Sequence, residues 1–197
     1  MALVWLLLSV SLLRVHMFSS LVDDKTNLMQ LYQRLKKNVS GIQGDVTNLA
    51  DLDRLCNTVK DQKGHLDILF ANAGIGEFAP LGEISEAHFD KIFGINVKGV
   101  LFSVQKALPL FQDGGSIILN ASIAVSKGME ALSVYSATKA AVRSFARTWT
   151  VDLKHRKIRV NAVSPGPIDT PAVKGLAQSE EEVKQLKKKS HSLSANG

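Results

Sequence analysis

The pair of side chains best suited to proton transfer in this chain is Tyr135 and Lys139, which lie four residues apart. That spacing places both side chains on the same face of a helix. A tyrosine hydroxyl with a pKa of about 10 is a poor acid or base at neutral pH. We expect the nearby ammonium to favour the phenolate and to lower the pKa of Tyr135. The pair would then act as a general acid or base on a carbonyl or an alcohol. An amphipathic helix with a surface lysine is the alternative interpretation.

Alternating strand-like and helix-like segments position this pair. The predicted helices cover residues 24–37, 48–63, 85–93, 96–111 and 133–154, with Ser85 as the N-cap of the third. The predicted strands cover residues 39–46, 67–71, 116–120 and 158–163, with a turn at Gly114-Gly115 before the third. Strands separated by single helices indicate parallel pairing with right-handed crossovers, which is a doubly wound α/β sheet. Ligands bind beyond the carboxyl ends of such strands, so the loops after Ala71, Asn120 and Val163 are expected to converge.

Those loops and their neighbours carry a set of polar and small residues in a distinctive order. In chain order the set is Asp45, Asn72-Ala73-Gly74, Asn96, Ser122, Tyr135 with Lys139, and Pro165-Gly166. As a set these residues resemble the short-chain dehydrogenase/reductase family over roughly residues 24–175. The resemblance implies an α/β fold with a Rossmann-like, mostly parallel sheet and helices on both faces, lacking the first βα unit and the last strand. It also implies an oxidoreductase that interconverts a ketone and a secondary alcohol with NADP or NAD.

The resemblance assigns catalytic roles to four residues. Tyr135 would be the proton donor or acceptor, and Lys139 would lower the pKa of Tyr135 and bind the nicotinamide ribose. Ser122 would polarise the substrate carbonyl, and Asn96 would hold a water of the proton relay. From the residues alone, Asn96 could instead be only a helix cap. No metal ligands are implied.

The resemblance also implies a set of cofactor contacts beyond Tyr135 and Lys139. The implied contacts are Asp45 and Val46 to the adenine, Asn72, Ala73 and Gly74 along the cofactor, and Pro165, Gly166, Ile168 and Thr170 around the carboxamide. Two alternatives stay open at this point. Asp45 could simply cap the next turn, and Asn72 could satisfy backbone groups of its own loop.

The glycine-rich loop that this family places after its first strand is not recognisable in the sequence. The first glycine of the chain is Gly41, and residues 1–40 therefore cannot supply that loop. Gly74-Ile75-Gly76-Glu77-Phe78-Ala79 matches the dinucleotide-binding string, but Pro80 follows and no helix is predicted to start there. The segment after Thr170 also ends in a polar tail. The sequence thus resembles a family member that is cut at both ends.

We predict three regions: an apolar segment over residues 1–20, a partial Rossmann-like domain over 21–177 and a polar tail over 178–197. The apolar run 2–13 is too short to span a bilayer as a helix. It could be a targeting segment, a buried stretch, or a replacement strand that covers an open sheet edge. Membrane association is not expected, although residues 2–13 are the segment that could provide it.

The net charge of +6 is concentrated in residues 143–159, which contain six Lys or Arg residues and one Asp. A solvated helix face or a general attraction for phosphorylated ligands is the preferred interpretation of this cluster, so we expect no nucleic-acid partner. The single cysteine, Cys56, cannot form an internal disulfide, and we predict a cytoplasmic location.

A small carbonyl or alcohol substrate and a homo-oligomer are the expected partners. The family uses the helices predicted at 96–111 and 133–154 for subunit contacts. A face formed by Ala137, Ala141, Phe145 and Trp149 could serve such a contact or could pack on the sheet. The alternative function is a catalytically inactive protein of this fold that acts through dimerisation or binding.

Overall fold

The structure, a computed structural model, describes residues 3–9, 14–18 and 41–166. In this part of the chain, six strands form two three-stranded sheets. The strands are β1 (Leu3–Ser9), β2 (Arg14–Phe18), β3 (Gln43–Asp45), β4 (Leu66–Ala71), β5 (Phe111–Asn120) and β6 (Arg159–Val163). The predictions for residues 24–37, for Val39, Ile168 and Thr170, and for the tail fall outside the described residues.

The sheet that carries the candidate site is parallel, in the order β4-β5-β6. One face of its centre is apolar and buried, whereas Ile68, Phe70 and Ile118 on the opposite face are only half-buried. Leu69 of β4, Ile117 and Leu119 of β5 and Val160 of β6 are all buried. The parallel α/β arrangement predicted from the sequence is therefore confirmed for this sheet.

The other sheet has the order β2-β1-β3, and β1 is antiparallel to both of its neighbours. Residues 3–9 form a strand, but it pairs with β2 and β3 and lies outside the β4-β5-β6 sheet. The hypothesis that residues 2–13 replace a strand of that sheet is therefore wrong, and β2 is the strand that lies alongside β4. The predicted strand over 39–46 is shorter than expected, since β3 has three residues. The antiparallel pairing of β1 with β2 departs from the parallel pattern because these two strands follow one another too closely for a helical crossover.

Four α-helices connect these strands in the described residues. They are α1 (Leu49–Lys63), α2 (Glu86–Phe93), α3 (Val100–Ala107) and α4 (Ser133–Asp152). Two begin at side-chain caps, since Asn48 accepts from Ala50 N and Ser85, the predicted cap, accepts from His88 N. The chain crosses from β4 to β5 and then from β5 to β6 in the same direction across the sheet. Because such crossovers are right-handed, α3 and α4 lie on the same face of the sheet.

Two segments differ from the predicted elements. The helix predicted over 96–111 is a π-helical segment at Gly94–Gly99, then α3, then a 3-10 turn at Leu108–Leu110. The predicted turn at Gly114-Gly115 lies inside β5, where the register with β4 shifts between Leu66 and Ile68. Gly114 has a φ of 93°, so the turn is accommodated as an irregularity within a longer strand.

Close packing between the π segment and the end of β3 positions Asn96. Val46 is 1% exposed, and a Cβ on Gly99 would lie 2.8 Å from Val46 Cγ2. Glycine is therefore required at position 99, because no side chain fits between this segment and Val46. At the other end of the same segment, a Cβ on Gly94 would meet no atom within 4 Å.

We predict that Gly99→Ala lowers the free energy of unfolding by about 1–3 kcal/mol, because the added methyl group overpacks a buried contact. The matched control is Gly94→Ala, which adds the same group in open space at a helical φ of −55°. It should leave stability unchanged or raise it by up to about 1 kcal/mol. Urea denaturation of both variants measures the difference, and equal midpoints would contradict the packing argument.

Candidate active site

Lys139 is a buried cation at the centre of the candidate site. The face of α4 that points to the sheet carries Val134, Thr138, Lys139, Val142 and Ala146. Lys139 is 3% exposed, and its Nζ donates to the carbonyl oxygen of Asn120, at the end of β5, over 2.8 Å. Burial lowers the pKa of Lys139 to about 8, since removal from water disfavours the ammonium.

Tyr135 and Ser122 come together one helical turn from this lysine. Lys139 Nζ lies 5.7 Å from the centroid of the Tyr135 ring. The pKa of Tyr135 is raised above its ordinary value because burial disfavours the phenolate, and a hydrogen bond with the Ser122 side chain offsets part of that shift. The predicted lowering of the Tyr135 pKa is therefore wrong, because desolvation outweighs the hydrogen bond with Ser122.

Asn96 lies within the π segment and is fully buried. Its side chain makes three hydrogen bonds. Oδ1 accepts from Ile75 N over 2.8 Å, while Nδ2 donates to Ile75 O over 2.8 Å and to Thr138 Oγ1 over 3.0 Å. The helix-cap interpretation of Asn96 is therefore wrong. Its amide joins the loop after β4 to helix α4, and π segments of this kind are frequent at functional sites.

The loop after β4 approaches the lysine closely through Gly74. A Cβ at Gly74 would lie 3.0 Å from Lys139 Nζ and 3.3 Å from Asn96 Oδ1. Ala73 is buried beside it. The string from Gly74 to Ala79 is not followed by a helix, because α2 begins only at Glu86. That string is therefore part of this loop, as predicted, and not a dinucleotide-binding turn.

A pair of amides closes the same end of the sheet. Asn120 Nδ2 donates to Asn72 Oδ1 over 2.6 Å, which ties the loop after β4 to the end of β5. Asn120 Oδ1 is buried without a hydrogen-bond partner among the described residues. An unsatisfied buried acceptor is uncommon in folded proteins. The sequence interpretation missed Asn120, although a polar residue at the end of a buried strand was a usable signal.

Asp45 and Val46 lie at the end of β3, and both have structural contacts. Asp45 Oδ1 accepts from Thr47 N and from Thr47 Oγ1, each over 2.8 Å. The turn-cap interpretation of Asp45 is thus confirmed, and a contact to adenine stays a prediction. Val46 packs on Gly99, so its side chain serves the core and only its backbone is available for a ligand.

The loops after β5 and β6 meet, as the fold class predicts. Ala121 N donates to Val163 O over 2.8 Å, and Ile123 N donates to Pro165 O over 3.2 Å. Gly166 lies beyond this contact, with Ile123 Cδ1 3.9 Å from a Cβ placed on it. The structure therefore brings the Pro165-Gly166 turn next to the segment that carries Ser122.

The described residues fit the nicotinamide half of a dinucleotide. Lys139 Nζ uses one of the three donors of an ammonium on Asn120. A side chain at position 74 would crowd this ammonium, since a Cβ on Gly74 would lie 3.0 Å from Lys139 Nζ. Residues 3–9, 14–18 and 41–166 contain no glycine-rich turn that leads into a helix, so the donor set for the pyrophosphate is not found in this part of the chain.

Other predicted features have structural explanations. In the basic cluster, Arg156 donates to Leu108 O and Phe111 O over 3.2 and 2.6 Å and so holds the start of β5. Burial raises the pKa of the half-buried Cys56 to about 11, which disfavours its thiolate. Phe145 and Trp149 stack with centroids 4.7 Å apart and pack partly against the core. No described helix is both long and apolar enough to cross a membrane.

Comparison with known proteins identifies the family to which this chain belongs. The profile of the enoyl-(acyl carrier protein) reductase family matches residues 15–197. The chain belongs to the short-chain dehydrogenase/reductase family. An oxidoreductase of Sarocladium schorii is 49% identical over 142 residues, which make up 71% of this chain and 57% of that protein. A hydroxynaphthalene reductase-like protein of Metarhizium brunneum is 38% identical over 130 residues, 66% of this chain and 49% of that protein.

Solved structures of family members share the fold. A short-chain dehydrogenase/reductase from Serratia marcescens has a TM-score of 0.76 at 27% identity, covering 84% of this chain and 68% of that one. A short-chain dehydrogenase/reductase of the glucose/ribitol dehydrogenase type from Brucella melitensis has a TM-score of 0.74 at 31% identity, covering 79% and 64%. The chain spans 57% and 49% of the length of the two curated relatives named above.

The lowered pKa of Lys139 predicts a pH dependence of stability. Between about pH 8 and 10.5 the unfolded chain binds a proton on this lysine that the folded chain has lost. The free energy of unfolding should therefore rise with pH across that window. Tyr135, with its raised pKa, has the opposite effect at higher pH. Denaturation of the wild type and of Lys139→Met at several pH values isolates the lysine contribution, and parallel curves would refute it.

Proposed function

We propose that this protein is an NAD(P)-dependent oxidoreductase that interconverts a ketone and a secondary alcohol, with Tyr135 as the proton donor and acceptor. The observation that carries the proposal is the meeting of four groups at the carboxyl ends of β4 and β5. These are the hydroxyls of Tyr135 and Ser122, the ammonium of Lys139 and the amide of Asn96. Oxidoreductases among the relatives support the same reaction class.

The proton chemistry follows from the environment of Tyr135. Its raised pKa keeps the proton on the hydroxyl at neutral pH, so the protonated form needed for reduction is present, and transfer of that proton depends on groups that stabilise the phenolate. Negative charge develops on the substrate oxygen during reduction, and the Tyr135 proton can pass to it. The Ser122 hydroxyl and the Lys139 ammonium then stabilise the phenolate that remains.

The cofactor, when bound, would supply or accept the hydride. Lys139 would hold its ribose, Gly74 and Asn72 would lie along it, and the Pro165-Gly166 turn would border its nicotinamide end. The buried location of Lys139 excludes water from this position and strengthens its hydrogen bonds.

The substrate is proposed to be an apolar carbonyl compound. The loop after β4 exposes Phe78 and Leu81, and Ala79 N ties this loop to Ala131 O, four residues before Tyr135, over 2.8 Å. The names of the relatives point to two substrate classes, a hydroxynaphthalene-like ring compound and an enoyl thioester. Both contain an oxygen that two hydroxyls can bind, and we favour the ring ketone because the exposed side chains of this loop are apolar.

We predict saturable binding of NADPH or NADH by the purified chain. A titration that follows Trp149 and cofactor fluorescence should saturate below about 1 mM, and parallel titrations with the two nucleotides distinguish NADP from NAD. Circular dichroism of the same sample provides the control for folding. If a folded sample shows no saturation, the proposed activity is refuted, and a non-catalytic protein that acts through dimerisation or binding becomes the better interpretation.

Tyr135→Phe should lower kcat by at least about 100-fold while the cofactor dissociation constant changes little, because the ring stays and only the proton donor is lost. Turnover is measured with a bicyclic aromatic ketone and, in parallel, with a short enoyl thioester. Ser126→Ala is the matched control, since the hydroxyl of Ser126 is exposed and donates to Ile123 O. Unchanged turnover of Tyr135→Phe would contradict the assigned proton donor. If the protein reduces only the C=C bond of the enoyl thioester and not the aromatic ketone, the assigned substrate is contradicted.

A further inference from the structure

Thr138 lies between Tyr135 and Lys139 on α4 and is fully buried. Its Oγ1 donates to the carbonyl oxygen of Tyr135 over 2.7 Å and accepts from Asn96 Nδ2 over 3.0 Å. A hydroxyl has one proton, and here that proton is used on Tyr135. A lone pair of the Thr138 oxygen is therefore directed at Asn96. One side chain thus contacts both the helix that carries the proton donor and the amide in the π segment.

The Asn96 amide extends this connection to the loop after β4. Its two remaining hydrogen bonds both go to the backbone of Ile75, one to N–H and one to C=O. An amide held this way has one orientation, because a flip would place Oδ1 against the two acceptors and Nδ2 against the one donor. The chain of contacts therefore runs from Tyr135 through Thr138 and Asn96 to Ile75.

Displacement of Ile75 has a direct consequence for the site. Gly74 is the preceding residue, and its Cβ position is 3.0 Å from Lys139 Nζ and 3.3 Å from Asn96 Oδ1. A small shift of this loop therefore changes the space beside the ammonium. Misplacement of groups in an active site by about 1 Å can reduce turnover by about 100-fold.

We propose that Thr138 is a positioning residue that holds the loop after β4 against α4 through Asn96, and thereby sets the geometry around Lys139 and Tyr135. This inference rests on the proposed function only for its effect on turnover. Its structural consequence, the fixed position of the Ile75 backbone, can be measured without any activity.

Thr150 provides a matched control on the same helix. Its hydroxyl also contacts a preceding carbonyl, that of Ala146 over 2.7 Å, and it reaches Val160 O in β6 over 3.0 Å. Thr150→Val therefore removes a comparable hydroxyl from α4 without touching Asn96. A general loss of helix stability would affect both variants, whereas loss of positioning would affect only Thr138→Val.

The experiment compares Thr138→Val, Thr138→Ser and Thr150→Val with the wild type. The first readout is amide hydrogen exchange of the segment that contains Ile75, and the second is kcat and KM with the best substrate found above. We expect Thr138→Val to speed exchange at Ile75 by about tenfold or more and to lower kcat by about tenfold, a loss smaller than removal of an acid–base group. Thr138→Ser should restore both, and Thr150→Val should change neither.

The two readouts separate the inference from the proposed function. If the wild type shows no turnover, the exchange measurement alone decides on Thr138. Equal exchange at Ile75 in Thr138→Val and Thr150→Val would overturn the inference, as would a Thr138→Ser variant that fails to restore protection. If Thr138→Val does not fold, Thr138→Ala replaces it, because it removes the same hydroxyl without placing a methyl group against Asn96 Nδ2.

Discussion

The burial of a single ammonium is the constraint on which the site depends. Lys139 is 3% exposed, and a buried charge is tolerated only when hydrogen-bond acceptors surround it. The carbonyl oxygen of Asn120 is such an acceptor because β5 ends directly beneath α4. The glycine at position 74 leaves the space that the ammonium occupies. The buried position of Lys139 therefore requires three elements together: the end of β5, the buried face of α4 and the loop after β4.

This constraint also explains why the surrounding polar groups are so interconnected. Asn96 binds Ile75 and Thr138, and Asn120 binds Asn72. Each amide joins two elements that are distant in sequence, so the start of the loop after β4 is held at two points, Asn72 and Ile75. A network of satisfied buried hydrogen bonds stiffens such a region, since each broken bond leaves a costly polar group in the interior. Among the described residues, Asn120 Oδ1 is the exception, and it belongs to the residue whose carbonyl oxygen binds the lysine.

The electrostatics at Tyr135 show how two effects compete. The hydrogen bond with Ser122 favours the phenolate of Tyr135, and burial disfavours it. In this structure burial is the larger effect on the tyrosine, and it also lowers the pKa of the lysine to about 8. The raised pKa of Tyr135 keeps the tyrosine protonated near neutral pH. That state is the one a proton donor needs for carbonyl reduction.

The sequence by itself determined the family and those elements that have a strong local signal, and only the tertiary structure decided the properties that depend on distant contacts. Buried runs such as residues 67–71, caps such as Ser85 and the four-residue spacing of Tyr135 and Lys139 depend on neighbours within a few positions, so they were predictable. The direction of the Tyr135 pKa shift was not, because desolvation depends on how completely other elements cover the ring. The hydrogen-bond partners of Asn96 and the antiparallel pairing of residues 3–9 with β3 also could not be predicted from the sequence. No local pattern encodes such partners, since each is chosen by packing between segments that lie far apart in the chain.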